Sequence, residues 1–576
     1  MNILGLNINH SNSSVVLYTK DKIAFAAEEE RYSFVKHSGA FPSNAIKKAL
    51  NLNNLKLNDI DFITLNSDPY SNIKKKIFYL IKTLNFNKII LAKDNLIYNK
   101  NNLIKNLQKL DLGNFEGKIL RFEHHLCHLA SSSYYSDHKE SISISIDGSG
   151  DFVTACVAIY NNQKLNVVYK NYFPHSLGIF YQALTQFIGF KNYGEEYKLM
   201  GLSAYGDNEY KKQMDELITF ENGKIELDLN FFNFQNTKAF DILENGQIKL
   251  NQLYNSNLIK LFGEIQICDR KKISQKQKNF AYSLQNKYED IFFKFINFYQ
   301  KKYNIDSLDL SGGCAMNSLA NGKIKQKTNF KNIFIQPAAY DAGCALGSVA
   351  LLTNKNEKKK FFLSNYLGDS FDNYECEKII KERNLMNNKN FEINFINNNK
   401  QYEYLTDLIT NNKIIGIFQG KLEWGARALG NRSIICDPRN KDMKNILNSK
   451  IKRRESFRPF APIILREKVN EWFEINDDVN SMMQVFKVKK EKRNLIPSVV
   501  HEDGTGRLQT VKKIDNENIY RLIECFYLKT GVPILINTSF NENEPIVSNP
   551  GQAIDTFLRT KMDCLVLENW IIKKID

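Results

Sequence analysis

The 576-residue sequence predicts a two-domain α/β protein whose first domain contains two copies of one strand motif. Length is the first reason, since a chain of this size exceeds a single hydrophobic core. The second is a repeat. Residues 3–27 read ILGLNI, NHSNS, SVVLY, TKDK, IAFAA, and residues 142–169 read ISISI, DGSGD, FVTACVAIY, NNQ, KLNVVY. Each copy is a strand, a polar loop, a strand, a tight turn and a strand. The third is the charged segment KNEKKK at 355–360, which lacks structure signals and reads as a linker. The expected domains are residues 1–354 and 361–576.

Two facing copies of such a motif occur in duplicated nucleotide-binding folds of the actin and sugar-kinase type. There the two polar loops lie across a cleft and hold phosphate or metal. Apolar residues at Phe280, Leu284, Tyr288, Ile291, Phe295 and Phe298 predict a long helix over 276–303, leading to strand SLDL and the turn SGGCAMN. The second domain has strands of its own, IIGIF and CLVLE. The basic stretch 72–110, with Lys74, Lys75, Lys76, Lys82 and Lys88, reads as a surface helical insertion in preference to a membrane or partner site.

Composition narrows the class. With 43% hydrophobic and 25% charged residues the chain is an ordinary globular one. No apolar run reaches the roughly 18 residues that cross a bilayer, and the N-terminus reads as a strand, not a leader. The 9 cysteines are scattered without a Cys-x-x-Cys pair, so neither a disulfide framework nor a thiolate zinc site is expected, and a reducing cytoplasm is. The formal charge of +16 reflects lysines spread along the whole chain and identifies no partner.

The motifs are more specific. Three of the 8 histidines fall in HHLCH at 124–128. His124 and His128 are four apart and share a helix face, as a metal pair requires; a packing coincidence has the same spacing. Cys127 points elsewhere. Asp147, at the end of strand ISISI, offers a carboxylate, and Asp341 in QPAAYDAGCALGS offers another. Histidines with carboxylates suit iron, zinc or manganese. In SGGCAMNSLANG, Gly312 and Gly313 follow a strand and let backbone approach a phosphate or purine, with Asn317 and Asn321 beyond. The second domain concentrates anion-binding groups: Lys421, Arg427 and Arg432; Lys452, Arg453, Arg454 and Arg458; Arg507; Ser539 and Asn541. Arginines set among Gly, Ser and Pro fit a rigid phosphate pocket. Phe457 and Phe460 read as packing, not as a stacking platform for nucleic acid.

These motifs, with EEERYSFVKH, FPHSLGIFYQALTQFIGF, EEYKLMGLSAYGD, WGARALGNRSI and RESFRPFAP, run in one order almost end to end. In that order the chain resembles the NodU/CmcH-type O-carbamoyltransferases, the family that includes tobramycin carbamoyltransferase. The resemblance implies a duplicated ASKHA domain similar to TsaD and a C-terminal domain similar to YrdC. It implies that carbamoyl phosphate and ATP, as its magnesium complex, form carbamoyl adenylate in the second domain, and that an acceptor hydroxyl attacks this intermediate in the first. Carried over, His124, His128, Asp147 and Asp341 hold a metal, iron or another divalent ion. His10 is the base or orienting group and Lys36 meets the anionic intermediate. Gly312, Gly313 and Asn317 contact the adenylate. Arg427, Lys452, Arg458, Arg507, Ser539 and Asn541 bind carbamoyl phosphate and ATP. Members are often homodimers.

Ser11 replaces the family's usual acid, TKDK lacks the usual turn glycine, GARALG replaces Gly-Pro-Arg, and Glu502 replaces an apolar residue. The first two lie on the acceptor side and leave the acceptor open. Segments 66–120 and 208–275 are candidates for recognising it. Transfer to tRNA, a nucleotide or DNA, or binding without catalysis, are the rival readings.

Overall fold

The computed structural model describes residues 1–83, 100–269, 272–356, 364–397 and 399–575. Lys88 and residues 357–360 of the expected linker lie outside them. The chain divides into two compact units, Met1–Leu363 and Ser364–Asp576. Lys355 and Asn356 are not linker; they end the helix Ala342–Asn356, which carries the first unit past residue 354.

The first unit holds two five-stranded sheets of identical topology. In one, β1 (Ile3–Asn7), β2 (Ser14–Thr19), β3 (Lys22–Glu28), β4 (Phe62–Leu65) and β5 (Lys118–Arg121) lie in the order β3-β2-β1-β4-β5. The other uses β6 (Glu140–Gly150), β7 (Val153–Asn161) and β8 (Lys164–Tyr172). After the small hairpins β9–β10 (Ile218–Glu221, Lys224–Leu227) and β11–β12 (Phe240–Ile242, Ile248–Leu250), it is completed by β13 (Ser307–Ser311) and β14 (Asn332–Ile335), in the order β8-β7-β6-β13-β14. In both, the first three strands are antiparallel and the last two are added parallel. The repeat read in the sequence is therefore a duplicated α/β unit of the ASKHA arrangement.

Local chemistry explains the elements. β1 and β2 are buried at every residue, as strands covered on both faces are. The β2–β3 turn needs no glycine, because Lys20 and Asp21 take positive φ of 49° and 58°. The predicted long helix is Gln275–Tyr303, opened by a capping box between Ser274 and Gln277. Asp147 lies inside β6, not at its end: pairing with β7 shifts register after Ile146 and resumes at Gly150. The described residues of the basic stretch 72–110 include the helices Ile73–Thr83, with Ile77, Phe78 and Ile81 exposed, and Lys100–Gln108.

The second unit is one nine-stranded mixed sheet, in chain order β15 (Phe391–Phe395), β16 (Ile415–Phe418), β17 (Arg432–Cys436), β18 (Ala461–Leu465), β19 (Gln484–Lys487), β20 (Thr505–Val511), β21 (Ile534–Ser539), β22 (Cys564–Leu567) and β23 (Trp570–Lys574). Its core joins the central strands to apolar faces of the helices Glu517–Thr530 and Pro550–Arg559. Phe460 packs in that core, as its sequence context predicts.

Candidate active site

β6 alternates Ile with Ser, and Ser141, Ser143 and Ser145 are all fully buried. Their face receives the polar helix His124–Ser133. Ser133 Oγ donates to Ser143 Oγ at 2.7 Å, and His125 lies 2.9 Å from both Ser145 Oγ and the Val153 carbonyl. His125 is thus a hydrogen-bonded core histidine, held by burial well below its usual pKa. Glu123 caps the helix by accepting from the Leu126 amide. Asp151 accepts from the amide of His124.

This anchoring turns His124 and His128 the same way, with their Nε2 atoms 3.1 Å apart. Asp147 Oδ2 lies 3.6 and 3.8 Å from them, and Asp341 Oδ1 3.5 and 3.7 Å. The remaining carboxylate oxygens face protein donors: Asp147 Oδ1 accepts from the Gly313 amide at 2.7 Å, and Asp341 Oδ2 from Ser11 Oγ at 2.9 Å. Two glycines permit the approach. A Cβ on Gly150 would stand 2.1 Å from the His124 ring. Gly312, at φ +88°, would place one 2.2 Å from the Ile146 carbonyl oxygen.

The four groups fit a divalent ion. Metal–ligand bonds near 2.1 Å imply ligand–ligand edges of about 3.0–3.4 Å, close to the separations found. Burial opposes charge on His128, yet the Asp147 and Asp341 carboxylates beside it raise its pKa to about 9. Both carboxylates, although buried, are held below their usual range by His124 and His128. Carboxylates already ionised, beside imidazoles facing one point, form a donor set for a cation. Cys344 lies close enough to join the histidines. Burial keeps its thiol protonated, and it donates to the His124 carbonyl.

His10 joins the quartet: its ring stacks on His124 at 4.6 Å, and Nδ1 lies 4.0 Å from Asp341 Oδ2. Burial and the charge on His124 lower its pKa, so the ring is neutral. Lys36 is exposed, and its charge acts on Glu30 and His37. The Gly313 amide serves Asp147. Asn317 caps the helix Ser318–Gly322 and bonds Gln285, so its amide is engaged within the protein.

In the second unit Lys452, only 1% exposed, donates to Ser539 O, Asn541 O and Asn541 Oδ1 at 2.5, 2.7 and 2.8 Å. These three predicted residues form one brace. Lys452→Met leaves buried carbonyls without their donor and is expected to cost roughly 2–4 kcal/mol, read as a lowered urea midpoint. Burial and the charges of Arg427, Arg454 and Arg458 push Arg507 well below its usual pKa. Arg454, one of the anion-binding candidates read in the sequence, lies over the Phe460 ring. Arg432 is a correction to the sequence reading. Its guanidinium donates to the carbonyls of Gln419, Gly420 and Asn431 and stacks on Phe418, a structural role. The sequence also gave no hint of Glu423, whose Oε1 accepts from the amides of Leu429, Asn431 and Arg432 and shapes the loop bearing Arg427.

His501 lies 3.1 Å from Thr505 Oγ1, which donates to Asp503. Burial, with Arg507 and Lys444 outweighed in part by Asp503, lowers its pKa from 6.5 to about 4. A histidine that stays neutral when folded gains a proton on unfolding. Its contribution is therefore full above pH 6.5 and lost as pH falls towards 4. His501→Gln is expected to flatten the fall of the urea midpoint across that window, by up to about 3 kcal/mol.

The protein thus has a histidine–carboxylate centre in its first unit and arginines whose charges act on Arg507 in its second. Its class is given by sequence comparison. Residues 2–350 match the carbamoyltransferase N-terminus model and residues 406–574 the carbamoyltransferase C-terminus model. The chain belongs to the carbamoyltransferase family, whose members are transferases. An uncharacterized protein of Synechocystis is 32% identical over 99% of this chain and 96% of its own length. Nodulation protein NolNO of Sinorhizobium fredii is 31% identical over 99% of this chain and 82% of its own. The 3'-hydroxymethylcephem-O-carbamoyltransferase of Amycolatopsis lactamdurans is 30% identical over 41% of this chain and 42% of its own. Among the described residues no helix is long and apolar enough to cross a membrane.

Proposed function

We propose that the protein is an O-carbamoyltransferase that makes carbamoyl adenylate in its second unit and transfers the carbamoyl group to an acceptor hydroxyl in its first. The family match along both units carries this reading, and the cephem O-carbamoyltransferase indicates oxygen as the acceptor atom. In the second unit, water releases phosphate from carbamoyl phosphate. The resulting carbamate oxygen attacks the α-phosphorus of magnesium-bound ATP and expels pyrophosphate. Arg427, Arg454, Arg458 and Arg507 neutralise the phosphates, while the Lys452–Ser539–Asn541 brace fixes the pocket wall.

In the first unit the adenylate lies along the Gly312–Gly313 turn, near Asn317, with Lys36 towards its charge. His124, His128, Asp147 and Asp341 hold a divalent ion, which we take to be Fe(II). When bound, that ion supplies positive charge that polarises the adenylate. His10, neutral and stacked on His124, takes the proton of the acceptor hydroxyl as its oxygen attacks the carbamoyl carbon and AMP leaves. The acceptor class is a small molecule or sugar bearing a free hydroxyl.

The test supplies carbonyl-labelled carbamoyl phosphate, ATP and Fe(II) with a panel of sugar and small-molecule alcohols. The expected result is a labelled O-carbamate on one acceptor, with one AMP released per product. Label found only on tRNA or DNA, or AMP release without a carbamate, would contradict it.

A further inference from the structure

We infer that Ser11 and Tyr193 are positioning residues that hold Asp341 as a one-oxygen ligand of the ion in the first unit. The inference rests on the metal reading above.

Ser11 follows His10 in the β1–β2 loop and is only 2% exposed. Asn7, at the end of β1, pins that loop by donating to the carbonyls of Ser11 and Asn12 at 3.0 and 2.8 Å. Asn66 holds Asn7 in turn. The Ser11 hydroxyl is thereby fixed 2.9 Å from Asp341 Oδ2 and 2.6 Å from the Tyr193 hydroxyl. An ionised carboxylate only accepts, so the single Ser11 proton goes to Asp341 and the Tyr193 hydroxyl donates to Ser11. The chain runs one way, Tyr193 to Ser11 to Asp341, and each bond strengthens the next.

The consequence lies in the two carboxylate oxygens. Ser11 donates to Oδ2, and Oδ1 is the oxygen that faces the His124 and His128 nitrogens, at 3.5 and 3.7 Å. Asp147 is arranged alike, with Oδ1 on the Gly313 amide and Oδ2 towards the histidines. Both carboxylates thus present one oxygen each, and coordination positions stay open for substrate. Without the Ser11 hydroxyl, Asp341 can rotate or chelate with both oxygens. Outer partners of this kind change metal affinity by about 10–100-fold.

The test titrates metal-free full-length protein with Co(II), recording affinity and the visible d–d spectrum, with the thermal midpoint of the metal-free form as a folding control. Ser11→Ala is expected to weaken Co(II) binding about 10–100-fold and to alter the band pattern. Tyr193→Phe should act in the same direction by a smaller factor, and Ser11→Thr, which keeps the hydroxyl, should restore parental affinity and spectrum. Parental affinity and spectrum in Ser11→Ala, or no rescue by Ser11→Thr in a protein with a parental midpoint, overturns the inference and leaves the metal reading standing. Absence of Co(II) binding by the parent overturns the metal reading and the inference with it.

Discussion

Asp341→Asn is expected to lower carbamoyl transfer by at least about 10²-fold, while carbamoyl phosphate-dependent ATP–pyrophosphate exchange stays within about twofold of the parent. The substitution preserves shape and removes one charge from a set of two imidazoles and two carboxylates whose facing atoms lie 3.1–3.8 Å apart. Outer partners alone change metal affinity about 10–100-fold, so a direct ligand costs more. Metal content of the purified variant should fall with transfer. Exchange is spared because Asp341 belongs to the first unit and the arginine cluster to the second. Equal loss of both reactions would refute this division of labour.

Arg507→Met is expected to lower carbamoyl phosphate-dependent exchange, and with it the transfer that consumes the adenylate, while metal content stays at the parental level. The charges of Arg427, Arg454 and Arg458 act on Arg507, which gives the proposed phosphate site its positive potential. Replacing one guanidinium by an apolar chain of similar length removes its bonds to phosphate. Charge-assisted bonds to phosphate are worth about 1.5–3 kcal/mol, so exchange falls by about 10²-fold. Inorganic phosphate or pyrophosphate at about 100 times its dissociation constant stabilises the parent by about 2.7 kcal/mol, and this rise in midpoint should shrink or vanish in the variant. An unchanged ligand-induced rise would remove Arg507 from the site.

What the sequence revealed follows from its range. The repeat was legible because strand alternation and turn spacing are local, and both copies fold to the same strand order. His124 and His128 were legible because helical spacing alone aligns them. Asp147 and Asp341 were suggested only by position and resemblance; the fold brings together carboxylates from β6 and from the turn before the helix Ala342–Asn356. Ser11 was noted as a departure from pattern, but its partner Tyr193 is 182 positions away and carries no local signal. Arg432 misled because a buried arginine spent on carbonyls and a phosphate-binding arginine look alike in sequence. Glu423 went unseen because a carboxylate that collects three backbone amides depends on loop shape alone.

The most direct test of the central claim is ATP–pyrophosphate exchange by the purified protein, with and without carbamoyl phosphate, before any acceptor is known. Formation of carbamoyl adenylate predicts exchange that requires carbamoyl phosphate, persists in Asp341→Asn and collapses in Arg507→Met. Exchange that is absent with both substrates present, or that proceeds without carbamoyl phosphate, would contradict the account.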